Sequence, residues 1–475
     1  MVHIVRHSYV MASNLPNDLA QRLKYATTFE NPKYKEARKF GRYYRHIPPM
    51  IYSYKEDDEY LYLPRFFYKR IIDILEKRNI DYTTIDARVL HKDINISNNI
   101  VLRDSQIPIA NSLKGKEDGL IVAPPGSGKT VLGMYLISKI KQPTLWITHT
   151  DKLFEQAIQN AETFLNIPGS SIGIIRRKKL DISDTFTVGM IQTMYRYGDL
   201  GEISNKFGNV IFDEVHHLPS RMFLSVSTQL PSKYMFGLTA TAYRKDGLED
   251  MIFQHIGDKI FELGFDDVGG SEVISPHIFM IMTGFHAPPE EQFSRIINSL
   301  VNNTQRNELI VDMVKAESKA GNFSIVLSSR VNHCVDLEKM MLLNGLNPRL
   351  AVGSLKSRKA NSAAIKDIED GESNILIATM SLLGEGFNLP KLNRLFLTTP
   401  IRSKVLYVQC VGRILRTAAG KETAIVYDFV DLNSLLVNQS LSRIRYAEDE
   451  WKAKIEEVIL YEKARNSGTP REILS

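Results

Sequence analysis

The sequence predicts an α/β chain with two successive parallel-sheet domains, a small α+β domain ahead of them and a helix at the end. Three observations carry that prediction. Short β-branched runs alternate with helix-length segments from about Ser97 onward, the alternation stops over residues 245–320, and it then starts again. Strands that are apolar nearly throughout, with helical patterns between them, indicate parallel sheets covered on both faces.

Residues 1–96 precede the alternation and read as the α+β domain. Their stretch 31–46, "NPKYKEARKFGRYYRH", sets six cations (Lys33, Lys35, Arg38, Lys39, Arg42 and Arg45) against Glu36, with Tyr34, Phe40, Tyr43 and Tyr44 between them. Two readings stand side by side. The cations, Lys35, Lys39 and Arg42 among them, bind nucleic-acid phosphates while tyrosines stack on bases; or the stretch is a surface helix whose aromatics bury against their own domain. After it, "LYLPRFFYKRIIDILEK" leads from a short strand into an amphipathic helix from about Pro64 to Lys77.

Residues 97–265 form the first parallel-sheet domain, with strands expected at 119–124, 144–149, 185–190, 209–214 and 234–240. Residues 266–320 read as a connector, because Gly269-Gly270 and Pro288-Pro289 are strong local breakers. The second domain, 321–445, has expected strands at 323–329, 348–354, 374–380, 394–400 and 422–429. The tail 446–475 carries a charged helical pattern with Trp451, Ile455, Val458 and Ile459 on one side.

Composition narrows the function. The chain has 475 residues and 43% hydrophobic residues, enough for two to four domains with real cores. Two distant cysteines, Cys334 and Cys410, match no zinc spacing and no disulfide framework, which fits a reducing, cytoplasmic setting. The start "MVHIVRHSYVMASNLP" lacks the apolar core of a signal peptide, and no run approaches a membrane span, so a soluble protein is expected. Sixty Lys+Arg against 54 Asp+Glu give a net charge of +6, a mild lean toward an anionic partner.

The chemistry concentrates first in "GLIVAPPGSGKTVLGMYLISKI", a strand, a glycine-rich loop and a helix. Amides of Pro125's loop through Gly126, Ser127 and Gly128 can cradle anionic oxygens; Lys129 would reach the β- and γ-phosphates of ATP and Thr130 would coordinate Mg²⁺. Ala123 stands where the strict loop pattern has glycine, and a plain glycine-rich turn is the alternative. "VIFDEVHH", residues 210–217, then ends a buried-type strand in Asp213 and Glu214. A phosphate loop needs such a second strand, with one carboxylate for the Mg²⁺ shell and one to position the attacking water. A metal cluster on His216 and His217 would want further ligands at defined spacing, and adjacent histidines point in different directions.

At this point the residues resemble the DExH-type members of the superfamily 2 helicases, over about residues 98–430. "DEVHH" is similar to that family's motif II, "APPGSGKT" to motif I, and "LRDSQIPIANSL" to the segment that reads adenine, which implies roles there for Arg103 and Gln106. "TLWITHTDKLFEQ" and "VGMIQTMYR" resemble motifs that touch the nucleic-acid backbone, implying His149, Gln192 and Thr193; Arg330 and Thr379 are implied in the second domain. "GLTATAYR" resembles motif III, with Thr239 and Thr241 coupling hydrolysis to domain closure, and "GEGFNLP" resembles motif V, with Glu385 and Gly386 in the same role. "YVQCVGRILRTAAGK" resembles motif VI. Gln409, Arg413 and Arg416 recur there at intervals of four and three and so are expected on one helix face, with the arginines as fingers on the γ-phosphate; a basic face paired with surface acids is the alternative. Asn388 in place of an acid and Ala242 in place of proline depart from the family pattern.

The resemblance implies two tandem RecA-like domains, ATP and Mg²⁺ as cofactors, and a monomer that acts on single-stranded, forked or four-way junction DNA. It extends to phage-encoded branched-DNA helicases of the UvsW type, which implies roles in branch migration, recombination, repair or replication restart, 3′→5′ polarity, contact with recombination or replication proteins, and a host cytoplasm. An RNA helicase, the motor of a restriction complex and a non-processive ATP-gated clamp are the alternatives.

Overall fold

The computed structural model describes residues 1–39, 41, 43–123, 127–217, 220–240, 248–262, 274–286, 292–353, 358–383, 389–418 and 420–459. Of the expected site residues, Arg42, Pro125, Gly126, Thr241, Glu385, Gly386 and the Lys39 side chain lie outside the described set. The chain divides into two compact units, residues 1–263 and 264–475.

The first unit opens with β1 (Val2–Arg6), β2 (Tyr9–Ser13), α1 (Asn17–Ala26), β3 (Thr28–Glu30), α2 (Pro32–Lys39), β4 (Met50–Tyr52), β5 (Lys55–Glu56), β6 (Leu61–Pro64), α3 (Phe67–Lys77) and β7 (Tyr82–Asp86). Strands in the order β5-β6-β2-β1-β7 make one sheet, and β3 pairs with β4 apart from it. In α3, Phe67, Ile71 and Leu75 recur every fourth residue and are buried, so one stripe of the helix covers the sheet.

The parallel-sheet domain of this unit comprises α4 (Ile107–Ser112), β8 (Asp118–Val122), α5 (Lys129–Ile140), β9 (Thr144–Thr148), α6 (Asp151–Leu165), β10 (Gly173–Arg176), β11 (Lys179–Asp181), β12 (Phe186–Met190), α7 (Ile191–Tyr197), β13 (Asn209–Asp213), α8 (Ser220–Ser227), β14 (Tyr234–Thr239), α9 (Glu249–Ile256) and β15 (Lys259–Glu262). The sheet order is β11-β10-β12-β9-β13-β14-β8-β15. Strands β9, β12 and β13 are buried at every residue, as their unbroken apolar runs require. Helix α5 lies close on this sheet because Gly133 lacks a side chain: a Cβ there would meet the Trp146 ring at 2.7 Å.

The small domain is locked onto this sheet by buried arginines. Arg65 donates to Asp118 Oδ1 at 2.5 Å and to the carbonyls of Ser232 and Lys233, and Arg88 bridges Asp86 and Glu117 at 2.7 and 2.8 Å. The Gln254 side chain donates to Ala26 O, and Phe66 N donates to Gln254 O. Arg88 holds the Asp86 carboxyl down at about 2, whereas burial pushes Asp118 up against the pull of Arg65.

The second unit contains β16 (Pro276–His286), α10 (Phe293–Val301), α11 (Thr304–Lys319), β17 (Ser324–Ser328), α12 (Val331–Leu343), β18 (Arg349–Ala351), α13 (Arg358–Asp370), β19 (Ile375–Thr379), α14 (Met380–Leu383), β20 (Arg394–Leu397), α15 (Lys404–Gly412), β21 (Ala424–Leu432), α16 (Ser434–Trp451) and β22 (Lys454–Ile459). Its sheet runs β18-β19-β17-β20-β21-β16-β22, and all its pairs are parallel. Two buried ion pairs staple it: Arg306 to Asp431 at 2.8 Å and Arg443 to Asp428 at 2.6 Å.

Two expectations change here. The supposed connector supplies β16, an inner strand of the sheet, and helices α10 and α11; in sequence the breakers fall before β16, at 269–270, and between β16 and α10, at 288–289. The tail is helical only to Trp451, where Lys452 adopts a left-handed cap; "KIEEVI" then pairs with β16 as β22. Ile455 and Ile459 are part of a strand, and the pairing gained along β16 outweighs the helical spacing of the apolar residues.

Candidate nucleotide site and nucleic-acid surfaces

Three neighbouring strands of the first unit bring the predicted chemistry to one edge. In the order β13-β14-β8, the carboxyl ends carry Asp213, Thr239 and the start of the glycine-rich loop, and Ala123 N donates to Thr239 O at 3.0 Å. Lys129 is the first residue of α5 and its ammonium donates to Ala123 O at 2.8 Å. The same ammonium lies 4.0 Å from Glu214 Oε1. Gly128 holds the turn at φ +78, and a Cβ there would meet Gln106 Nε2 at 2.3 Å.

Gln106 is buried, its amide donating to Ser127 O at 3.0 Å while its carbonyl accepts from Arg103 N at 3.1 Å. It therefore ties the predicted base-reading segment directly to the phosphate loop. Glu214 follows the strand at φ +49, a left-handed conformation rare for a side chain of its size. That twist turns its carboxylate toward Lys129 and to within 3.4 Å of His216 Nδ1. His216 is buried, and its Nδ1 also lies 2.7 Å from the Thr239 hydroxyl. The histidine thus joins the DExH strand end to the next one, a link that residue spacing leaves open as structural or coupling.

Burial pushes the Asp213 carboxyl well above the ordinary range, and the adjacent Glu214 charge adds to the push while Lys129 opposes it. A buried carboxylate of that kind fits a divalent cation. The residues also fit the polyphosphate it accompanies: a buried ammonium, the Thr130 hydroxyl one residue on, and a helix N-terminus on a left-handed glycine.

The expected nucleic-acid contacts fall into two sets. In the first unit, Gln192 Nε2 donates to His149 O at 2.8 Å, so the two segments meet. The Thr193 hydroxyl is buried and accepts from Arg177 N at 2.9 Å. Arg177 and Lys178 form the exposed two-residue turn between β10 and β11, with Arg177 at φ +58, while Arg176 is drawn back to Asp151 and Glu155. This cationic tip is absent from the sequence-based expectations, although "RRKK" at 176–179 signals it. In the second unit, Thr379 pairs in register with Ser328, two residues before Arg330, so both predicted residues sit at the carboxyl edge. The Thr379 hydroxyl accepts from Gly353 N at 3.2 Å.

The motif VI expectation needs correction. Helix α15 ends at Gly412, Arg413 is its cap, and Arg416 lies in extended backbone beyond it. Only Gln409 is inside the helix, so the three do not share a helix face. Leu415 is instead held from β16's approach, its carbonyl accepting from Ile274 N at 3.0 Å. Burial lowers the Arg416 pKa from its usual value.

On the small domain, α2 exposes Lys33, Lys35 and Arg38, with Lys35 paired to Glu30 at 2.9 Å. Tyr43 is 71% exposed and stacks on His46, and Tyr34 packs edge-on against Tyr44.

Known proteins share this arrangement. Residues 95–244 match the family described as "Type III restriction enzyme, res subunit", and residues 305–418 match "Helicase conserved C-terminal domain". Together the two matches support a superfamily 2 helicase. This helicase is 28% identical over 419 residues to an inferred ATP-dependent RNA helicase, L396, of Acanthamoeba polyphaga mimivirus, covering 84% of this chain and 76% of the relative. It is 26% identical over 383 residues to an inferred helicase, D10, of Escherichia phage T5, covering 80% and 83%. Among solved structures, S. cerevisiae Dbp5 bound to RNA and ADP BeF3 matches with a TM-score of 0.56 and 13% identity, over 78% of the helicase described here and 93% of Dbp5. That likeness concerns the fold. No helix among the described residues is long and apolar enough to cross a membrane.

Proposed function

We propose that this superfamily 2 helicase is an ATP-driven DNA motor that unwinds or branch-migrates forked and junction DNA. ATP is held on the Gly128–Thr130 turn with Lys129 on its phosphates. Thr130 and Asp213 would hold a Mg²⁺, which would neutralise charge on the phosphates. Glu214 orients the attacking water and takes its proton, and Arg413 and Arg416 stabilise the charge that develops on the γ-phosphate. His216 and Thr239 pass the state of that site to the nucleic-acid segments around His149 and Gln192.

The observation that carries the DNA-junction reading is the small domain's surface: exposed Lys33, Arg38 and Arg45 in the same stretch as the exposed Tyr43–His46 stack, on a domain fixed to the motor by buried Arg65. Cations for phosphates and a bare aromatic for an unpaired base suit a branch point, where duplex and single strand meet. A second reading, an RNA helicase, is favoured by the name of the mimivirus relative. Steady-state ATPase against single-stranded DNA, duplex DNA, a four-way junction and RNA, at one salt concentration and with Lys129→Ala as control, separates them. Stimulation greatest for the junction is expected; stimulation by RNA alone overturns the DNA reading.

A further inference from the structure

Arg416 lies beyond the end of the helix, and among the bonds that hold this stretch is one from a side chain that also reaches a second segment. Lys421 Nζ donates to Arg416 O at 2.6 Å and to Pro390 O at 3.0 Å. The first carbonyl belongs to the arginine segment; the second belongs to Pro390, the last residue of "GEGFNLP". The chain brings the lysine back by a tight turn, Lys421 N donating to Ala418 O at 3.1 Å with Gly420 at φ +75.

We propose that Lys421 is a positioning residue that sets Arg416 for catalysis by clamping the backbone of Arg416 to that of Pro390. Both acceptors are neutral carbonyls, so the ammonium here ties backbone to backbone. Its burial costs solvation, and the pKa falls to about 8, first through burial and then through the Arg416 charge. That cost is offset by reaching two separate segments at once, which a shorter neutral side chain does not span. Loss of the clamp removes the tie between the Arg416 and Pro390 carbonyls while leaving the helix, the sheet and the ATP loop intact. The effect belongs on turnover and spares ATP binding.

The proposal rests on the reading of Arg416 as a group that stabilises the transferring phosphate, and the experiment keeps the two apart. DNA-stimulated ATPase is measured for wild type, Lys421→Met, Lys421→Arg, Arg416→Ala and the Lys421→Met/Arg416→Ala pair, with thermal melts of each. Lys421→Met is expected to lower kcat about tenfold or more, the scale of lost charge-assisted hydrogen bonds, with KM for ATP within about twofold. Lys421→Arg is expected to restore most of the loss. In the Arg416→Ala background the methionine adds nothing further, because it acts through the residue already removed. A normal kcat in Lys421→Met, a parallel rise in KM, or multiplicative losses in the pair overturns the proposal. If Lys421→Met does not fold, Lys421→Arg decides: a kcat as low as that of Arg416→Ala overturns it. An Arg416→Ala variant with wild-type turnover instead overturns the underlying reading.

Discussion

The imidazole of His216 and the hydroxyl of Thr239 lie 2.7 Å apart at the ends of adjacent parallel strands. Through this one bond, the residue after the Asp213–Glu214–Val215 run reaches the segment "GLTAT". A change at the carboxylates therefore has a short route to the next strand end. Thr239→Val keeps the volume and removes the hydroxyl. It is expected to retain most nucleic-acid-stimulated ATPase while lowering base pairs opened per ATP about tenfold, the scale of one buried hydrogen bond and its orphaned partner. Parallel ATPase and fluorescent unwinding assays check this.

Gly128 sits at φ +78 with Gln106 in the place its Cβ would take. Gly128→Ala must strain the backbone and displace the glutamine from Ser127 O. Nucleotide affinity is expected to fall by about 1–2 kcal/mol, roughly a five- to thirtyfold rise in Kd for a fluorescent ATP analogue.

Glu214→Gln removes the proton acceptor and keeps the shape. Turnover is expected to fall by about 10²–10⁴ while nucleotide still binds. Single-turnover hydrolysis and equilibrium binding, measured on the same preparation, distinguish this from misfolding.

Arg65 is buried between the small domain and the sheet, with Asp118 as its carboxylate partner. Arg65→Ala takes away the nearer cation and leaves that buried acid facing Arg88 at 4.0 Å, and is expected to destabilise the first unit by about 3 kcal/mol. Replacing the pair together, Arg65→Met with Asp118→Leu, should recover much of the loss. Urea unfolding of the three proteins gives the comparison.

His333 is buried between Ser328 Oγ and Asn307 Oδ1, each 2.9 Å from a ring nitrogen, and burial lowers its pKa to about 3. The unfolded chain protonates near 6.5. Its stabilising contribution is therefore complete above pH 6.5 and is lost as pH falls toward 3, at up to about 1.4 kcal/mol per pH unit. His333→Gln should flatten the stability profile over that window, as thermal melts from pH 7 to pH 4 will show.

Much of this was legible in the residues. The runs "TLWIT", "FTVGM" and "NVIFD" are apolar and β-branched because both faces of those strands are covered, and they lie where periodicity put them. The Lys129–Asp213–Glu214 constellation was legible because strand order in a parallel sheet gathers loop residues at the carboxyl edge. The misses share a physical cause. Ile455 and Ile459 have helical spacing, but the exposed flank of a strand more than 170 residues away decides their conformation. Arg416 keeps a helical interval from Gln409, yet the helix stops at Gly412, and hydrogen bonds from Ile274 and Lys421 hold the backbone of Leu415 and Arg416 beyond it. Long-range pairing is invisible to local spacing. The Gln106–Ser127 bond and the left-handed Glu214 belong to the same class, since each depends on where two distant segments meet.

Strand β22 runs parallel to β16 from Lys454, beside His277. Its role is also one of timing during synthesis. The ribosome delivers β16 early and its partner some 180 residues later, so the long flank of β16 emerges well before β22 can cover it. Until residue 459 is free of the exit tunnel, that open edge can recruit another nascent chain. The last described strand thus acts as a seal on the second unit, and a stop codon just after Trp451 would produce a sticky intermediate whose ATP-loop domain is already complete.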